Sequence, residues 1–262
     1  MSLDLKTLDK QTRNDLFDYL LRLGDDRLIL GHRLSEWCGH GPILEEDIAL
    51  TNIALDCIGQ ANSFLELAGT VENKGRDADK LAYFREAIEF KNLILVEQPN
   101  GDFGSTIARQ FLFDAYSFLL YESLQASKLD ELAAIATKSL KEVRYHLRHS
   151  SQWVLRLGDG TAESRERIQN GIDDLWMFTG EMFHVDEIEQ RLIAAGIGAD
   201  NASLKPKWDE MIRDVFREAT LQIPDDHGYM SEGSRQGRHS EHLGYILAEM
   251  QILPRSYPDA KW

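Results

Sequence analysis

The stretch Ile107-Ala-Arg-Gln-Phe-Leu-Phe-Asp-Ala-Tyr-Ser-Phe-Leu-Leu-Tyr121 decides the fold class. Ile107, Phe111, Asp114, Phe118 and Tyr121 follow one another at steps of four and three, the spacing that stacks side chains on one face of an α-helix. An aromatic seam of this kind must be covered by another element. The cover is readable downstream, where Leu132, Ile135, Ser139, Glu142, His146, His149 and Trp153 form a second continuous stripe. The two read as a helical hairpin over 105–126 and 130–157, with Ser105 as N-cap of the first helix and Gly158-Asp159-Gly160 as the stop of the second.

The same periodicity extends in both directions. A helix is expected over 15–37, with Leu16, Leu20, Leu23, Leu30, Leu34 and Trp37 on its stripe and Cys38-Gly-His-Gly-Pro42 as its stop. Residues 1–14 are expected to form a flexible extension. A second helix is expected over 44–68, with Ile48, Leu55, Ile58 and Leu65 apolar and Gly69 just beyond its end, followed by a polar loop over 72–79. A shorter helix over 77–90 leads to Leu93-Ile-Leu-Val96, readable as a lone strand or a buried helix end, and to the turn Pro99-Asn-Gly101. Beyond the hairpin, Thr161 caps a helix that reads as continuous to Ala195, and another follows over 203–221. Residues 225–237 are turn-rich, and a short helix over 239–250 precedes Pro254.

Residues 225–262 thus form a turn-rich C-terminal segment. Leu-Arg-Leu-Gly-Asp occurs at both 21–25 and 155–159, but one copy lies in mid-helix, the other at a helix end, and their flanks differ, so it is no repeat. No compositional break divides the chain, and the expectation is one all-α domain over 1–262, a bundle of long helices.

Composition agrees. Among 262 residues only 6 are Pro and 19 Gly, which suits long uninterrupted helices, and 43% hydrophobic content suffices for a large core. The formal net charge of −15 repels phosphate backbones and anionic lipid headgroups, so neither nucleic acid nor a membrane is expected as a partner. The opening residues show no basic segment ahead of an apolar core, and the longest apolar runs are short, so a cytoplasmic protein is expected. Cys38 and Cys57 form no Cys-x-x-Cys pair and suit a reducing compartment.

The chemistry-bearing feature is a set of acids on faces expected to be buried. Asp26 lies three residues after Leu23 and four before Leu30; Asp114 interrupts the aromatic seam; Asp56 follows Asn52 by one turn; Glu142 and His146 sit in the middle of the hairpin's second stripe. Four helices thus each offer an inward-looking acid. Di-iron carboxylate bundles use such a layout, with a Glu from each of two helices and a Glu-x-x-His from each of the other two. Here Gly59 lies three residues after Asp56 and Tyr145 three after Glu142, so neither helix supplies the nitrogen at that position, and His146 at four is the only substitute. The alternative to a metal site is a buried network in which the acids pair with Arg27, Arg109, Arg144, Lys141 or His146. An active di-metal oxygenase using Asp26, Asp56, Asp114, Glu142 and His146 is the competing enzymatic reading.

Lesser signals are weaker. Glu181-Met-Phe-His184 matches Glu-x-x-His once, beside Glu187 and Glu189, which are expected to be solvated. His239, Glu241 and His242 cluster in sequence but diverge around a helix, which favours a surface or interface role. Cys38 and His40 supply two potential metal ligands and lack another pair. No Gly-rich phosphate loop, nucleophile elbow or Ser-His-Asp layout is present.

Several longer motifs are specific in combination: Leu23-Gly-Asp-Asp through Glu36-Trp-Cys-Gly-His, Asp47-Ile-Ala-Leu-Thr-Asn-Ile-Ala-Leu-Asp56, Val96-Glu-Gln-Pro-Asn-Gly, Ile107-Ala-Arg-Gln, Lys141-Glu-Val-Arg-Tyr-His-Leu-Arg, and His242-Leu-Gly with Ala248-Glu-Met-Gln. With them the chain resembles the phenylacetate-catabolism family, and within it the non-catalytic ferritin-like subunits of bacterial phenylacetyl-CoA 1,2-epoxidases. The resemblance implies a ferritin-like four-helix bundle with additional helices, no cofactor on this chain, and a similarly folded catalytic subunit that holds a di-iron centre and binds the CoA thioester. It further implies a small bridging subunit and a flavin and iron-sulfur reductase drawing electrons from NADPH. Asp26, Asp56, Asp114, Glu142 and His146 would then be vestiges of a metal box.

Overall fold

The computed structural model describes residues 3–225, 228–258 and 260. Among them there are ten α-helices and no β-strand, in agreement with the all-α expectation. The chain divides into two compact units, Asn100–Glu232 and Leu3–Pro99 with Gly233–Trp262.

In the first-named unit, helices α5 (Phe103–Leu124) and α6 (Asp130–Gly158) form the hairpin read from the aromatic seam. Ile107, Phe111 and Tyr121 are buried, as are Leu132, Ala136, Val143 and Val154 opposite them. α5 starts two residues before the expected position, because the carboxylate of Asp102, and not the Ser105 hydroxyl, is the N-cap and accepts from the Ser105 amide at 2.9 Å. α7 (Ala162–Trp176) crosses α5 closely, with Gly171 against Ser105, where an added Cβ would stand 2.7 Å from Cα of Ser105. α9 (Asn201–Glu218) closes the layer; the Trp208 indole, fully buried, donates to the Leu112 carbonyl at 3.0 Å.

The single helix expected over 161–195 is broken. α7 ends at Trp176, a 3-10 turn covers Gly180–Phe183, and α8 (Glu187–Ala195) begins afresh. The break has a local cause: Asp186 and Glu189 form a reciprocal capping box that starts a new helix. Glu189, expected in solvent, is buried and also accepts from the Asn201 side chain at 3.1 Å.

In the other unit, α1 (Lys10–Ser35) and α2 (Leu44–Glu72) pair along their length. α1 begins five residues before the expected Asp15, so part of the anticipated N-terminal extension is helical; Asp9 caps it through the Thr12 amide. Residues 1–2 of that extension lie outside the described residues. α2 runs on through Gly69 to a left-handed Asn73. Gly69 is therefore not a terminator but a point of contact, since a Cβ there would lie 2.1 Å from the Arg76 carbonyl oxygen. The buried face of α2 is Leu50, Ile53, Ala54, Cys57, Ala61, Phe64, Leu65 and Ala68. Ile48 and Leu55, expected on that face, are exposed.

Past α2 come α3 (Ala78–Tyr83), a 3-10 turn at Ala87–Glu89 and α4 (Ile94–Glu97), so Leu93-Ile-Leu-Val96 is a buried helical turn and not a strand. α10 (Glu241–Ser256) returns to the same unit and continues past the expected stop at Pro254. Its end is anchored: Gln251 donates to the Arg85 carbonyl at 3.0 Å, and Arg255 to the Tyr83 and Arg85 carbonyls at 3.2 and 2.8 Å. Residues 226–227 of the turn-rich stretch lie outside the described residues.

No helix among the described residues is long and apolar enough to cross a membrane.

Candidate functional site

Of the five residues singled out as possible metal ligands, Asp26 and Asp56 belong to one unit and Asp114, Glu142 and His146 to the other. In the Leu3–Pro99 unit, α1 carries adjacent buried carboxylates, Asp25 and Asp26. Asp26 is gripped from both sides. Arg235 donates through Nη1 to Oδ1 at 3.0 Å and through Nη2 to Oδ2 at 2.9 Å, and the Leu93 amide donates to Oδ1 at 2.7 Å. Burial raises the Asp26 carboxyl above its ordinary value, while Arg235 and, more weakly, Arg27 oppose that rise. The bidentate fork is the geometry in which a guanidinium holds a carboxylate most strongly.

Asp25 is held the same way by Arg85, whose Nη1 donates to Oδ2 at 2.9 Å, and by the Lys91 amide at 2.9 Å. Arg85 also lies over the Phe90 ring, 4.2 Å from its centroid. A third buried acid, Glu97, receives the Asn92 side chain at 3.1 Å and the Ser240 amide at 2.6 Å; His239 Nδ1 stands 3.1 Å from its Oε2. The Phe90 carbonyl lies 3.0 Å from His239 Nε2. His239 is thus inside the unit, not at the surface expected from its cluster. Together these contacts tie segments 85–97 and 235–240 to α1, and the buried charges are offset by fixed partners.

Asp56 is only half-buried on α2. The expectation that it looks inward does not hold, because the helix turns its Leu50–Ile53–Cys57 side to α1.

In the Asn100–Glu232 unit, Asp114 is fully buried and receives the Gln110 amide at 2.7 Å and the Ser150 hydroxyl at 2.9 Å. Arg109, one of the cations expected from sequence, reaches the Asn100 side chain at 2.6 Å. His146 is fully buried one turn before Ser150, whereas Glu142 is half-buried. The Glu181 and His184 pair does not converge either, since Glu181 is buried within the 3-10 turn and His184 caps it in solvent.

This donor set does not fit a di-iron centre. Both oxygens of Asp26 and of Asp114 are engaged by protein donors, and Gly59 and Tyr145 stand where the two imidazoles would be required. Among the described residues no group of three or more His, Cys, Asp or Glu side chains is placed to hold a metal ion. The chemistry the arrangement offers is structural: charge-assisted hydrogen bonds that fix which segments lie on α1 and how α5 meets α6.

Sequence reasoning missed Asp25 with its partner Arg85, Glu97, and Arg235 as the partner of Asp26, and it placed His239 at a surface or interface. The doublet Asp25-Asp26 among the leucines of this helix was a usable signal for the acids. Nothing local marks Arg235, which lies 209 residues from Asp26.

A family model described as "Phenylacetic acid catabolic protein" matches residues 3–262. One of the subunits of 1,2-phenylacetyl-CoA epoxidase from Escherichia coli (strain K12), the one lettered C, is 48% identical over 249 residues, covering 95% of this chain and 100% of that protein. The match carries the ferritin-like class expected from sequence along with the helical architecture. With a family model spanning nearly its whole length and a relative at that identity, this chain belongs to the phenylacetic acid catabolic protein family.

Proposed function

We propose that this chain is the non-catalytic subunit of a phenylacetyl-CoA epoxidase complex of aerobic phenylacetate degradation, supporting a similarly folded catalytic subunit that holds the di-iron centre. The observation that carries the reading is the commitment of the central carboxylates: Asp26 to Arg235 and the Leu93 amide, Asp114 to Gln110 and Ser150. A carboxylate held by a guanidinium fork is a poor ligand, because metal binding would leave a buried cation without its counter-charge. The relative's name, which makes it one lettered subunit of an epoxidase, supports the assignment to a multi-subunit assembly.

On this reading Asp26, Asp56, Asp114, Glu142 and His146 are the remains of a ligand set, and the chain binds no cofactor of its own. Its task is to hold the catalytic subunit in its working shape; a small bridging subunit and a reductase complete the assembly. The site of action is the cytoplasm, and the chain works as one ferritin-like domain over 1–262, a reading supported by the family match over 3–262. Mixing the purified chain with the catalytic subunit and following both by size-exclusion chromatography tests it. Co-elution at a fixed ratio, with epoxidation of phenylacetyl-CoA rising when the chain is added, is expected. Separate elution and an unchanged rate would overturn it.

A further inference from the structure

α2 is apolar on two opposite faces, and one of them is exposed among the described residues. Its buried face packs on α1. Half a turn away, Leu44, Ile48 and Leu55 point outward with 71%, 53% and 64% of their surface exposed, and Ile43 at the helix start is 51% exposed. At 100° per residue these three helical positions lie within a narrow sector, so they form one stripe and not scattered surface aliphatics. Gly59 extends the stripe with open space before it, since a Cβ there would meet nothing within 4 Å. From Leu44 to Leu55 the stripe runs three turns, about 16 Å at 1.5 Å per residue, the footprint of another helix laid along it.

Charge says what kind of helix. From residue 34 to residue 73 the sequence contains no Lys or Arg, while Glu36, Glu45, Glu46, Asp47, Asp56, Glu66 and Glu72 are all acidic. Glu45 and Asp56 border one side of the stripe, Asp47 the other, and Glu66 its far end. A second copy of this chain docked face to face would set these carboxylates against one another, because a two-fold contact presents the same patch from both sides. The complementary partner is apolar along its middle and basic along its edges.

We infer that the Leu44–Ile48–Leu55 stripe is the seat of a helix of the catalytic subunit, one that carries aliphatic side chains between flanking Lys or Arg residues. The assignment rests on the reading of the chain as a supporting subunit and adds to it the surface that does the work. Exposed aliphatics at the middle of such a contact act as its anchors, and the acidic rim sets partner choice and association rate.

The test measures binding of the full-length chain to the purified catalytic subunit by titration calorimetry, with wild type, I48K/L55K and E45K/E66K compared. All four positions are solvent-facing, so far-UV circular dichroism and thermal melts should match wild type. I48K/L55K removes two anchors and sets lysines against a basic rim, and should weaken binding roughly a hundredfold or more. E45K/E66K leaves the apolar stripe intact; it should weaken binding about tenfold at low salt and by less at high salt. If wild type binds and both variants bind equally well, the stripe is not the seat, while the subunit reading survives. If wild type itself does not bind, both readings fall. If wild type alone is a dimer by light scattering and I48K/L55K is a monomer, the occupant is a second copy and the inference is overturned.

Discussion

Removing the guanidinium that grips Asp26 should be among the most damaging single changes in the Leu3–Pro99 unit. Arg235→Ala deletes both arms of a bidentate pair at 2.9 and 3.0 Å and leaves Asp26, 3% exposed, with the Leu93 amide and a more distant Arg27. Stranding one member of a buried pair costs about 3–5 kcal/mol, far more than the pair adds over an apolar replacement. For a chain of this size that is a fall in Tm of roughly 6–20 °C.

The cost should depend on pH with a defined sign. Burial already raises the Asp26 carboxyl above 3.8, so the native state binds that proton more tightly than the unfolded chain, and stability declines as pH climbs from 3.8 to the folded value. Without Arg235 the carboxyl rises further and the declining window lengthens upward. The penalty of R235A should therefore be smallest at acid pH, where Asp26 takes up its proton, and largest at neutral pH. Urea denaturation followed by circular dichroism across that range measures it. D26N/R235A, which removes the buried charge but keeps an acceptor for the Leu93 amide, should recover at least half of the loss. An R235A penalty under about 1 kcal/mol, or one that does not change between acid and neutral pH, would refute the reasoning.

Further outcomes follow from other contacts. Asp114→Ala removes the acceptor of the buried Gln110 side-chain amide, while the Ser150 hydroxyl keeps the His146 carbonyl, and should cost about 1–3 kcal/mol in denaturant unfolding, whereas Asp114→Asn should cost clearly less. Gly158→Ala drives a Cβ to 2.3 Å from the Ala219 carbonyl, a backbone atom that cannot step aside cheaply, and should lower stability by about 1–3 kcal/mol. Burial depresses the His32 imidazole below its ordinary 6.5, so stability should be lost as pH falls from 6.5 toward the folded value; His32→Gln should flatten that part of the pH–stability curve.

The sequence carried the hairpin α5–α6 because its signal is local: aromatic residues at steps of four and three, answered by a second stripe one short loop away. Helix existence was legible almost throughout for the same reason. Boundaries were lost where a cap competes with a neighbour, as at Asp102 over Ser105, and where a glycine serves close approach, as at Gly69. The break between α7 and α8 had one readable trace, Asp186 with Glu189, outweighed by the apolar rhythm on both sides. The acids were visible as misfits on apolar faces, but their partners were not. Arg235 and His239 reach α1 and α4 from the far end of the chain, and no periodicity links residues so distant. Ile48 and Leu55 read as core because an aliphatic on a helix carries no label for which face is covered.

The central claim, that this chain supports iron chemistry without hosting it, is tested most directly by iron analysis. The chain is expressed without its partner, loaded with ferrous iron under anaerobic conditions, desalted, and assayed for iron per polypeptide, alone and after assembly with the catalytic subunit. The account predicts near-zero iron on the isolated chain, and in the assembled pair only the iron that its catalytic partner holds by itself. A full di-iron complement on the isolated chain, lost on substitution of Asp114 or Glu142, would contradict it.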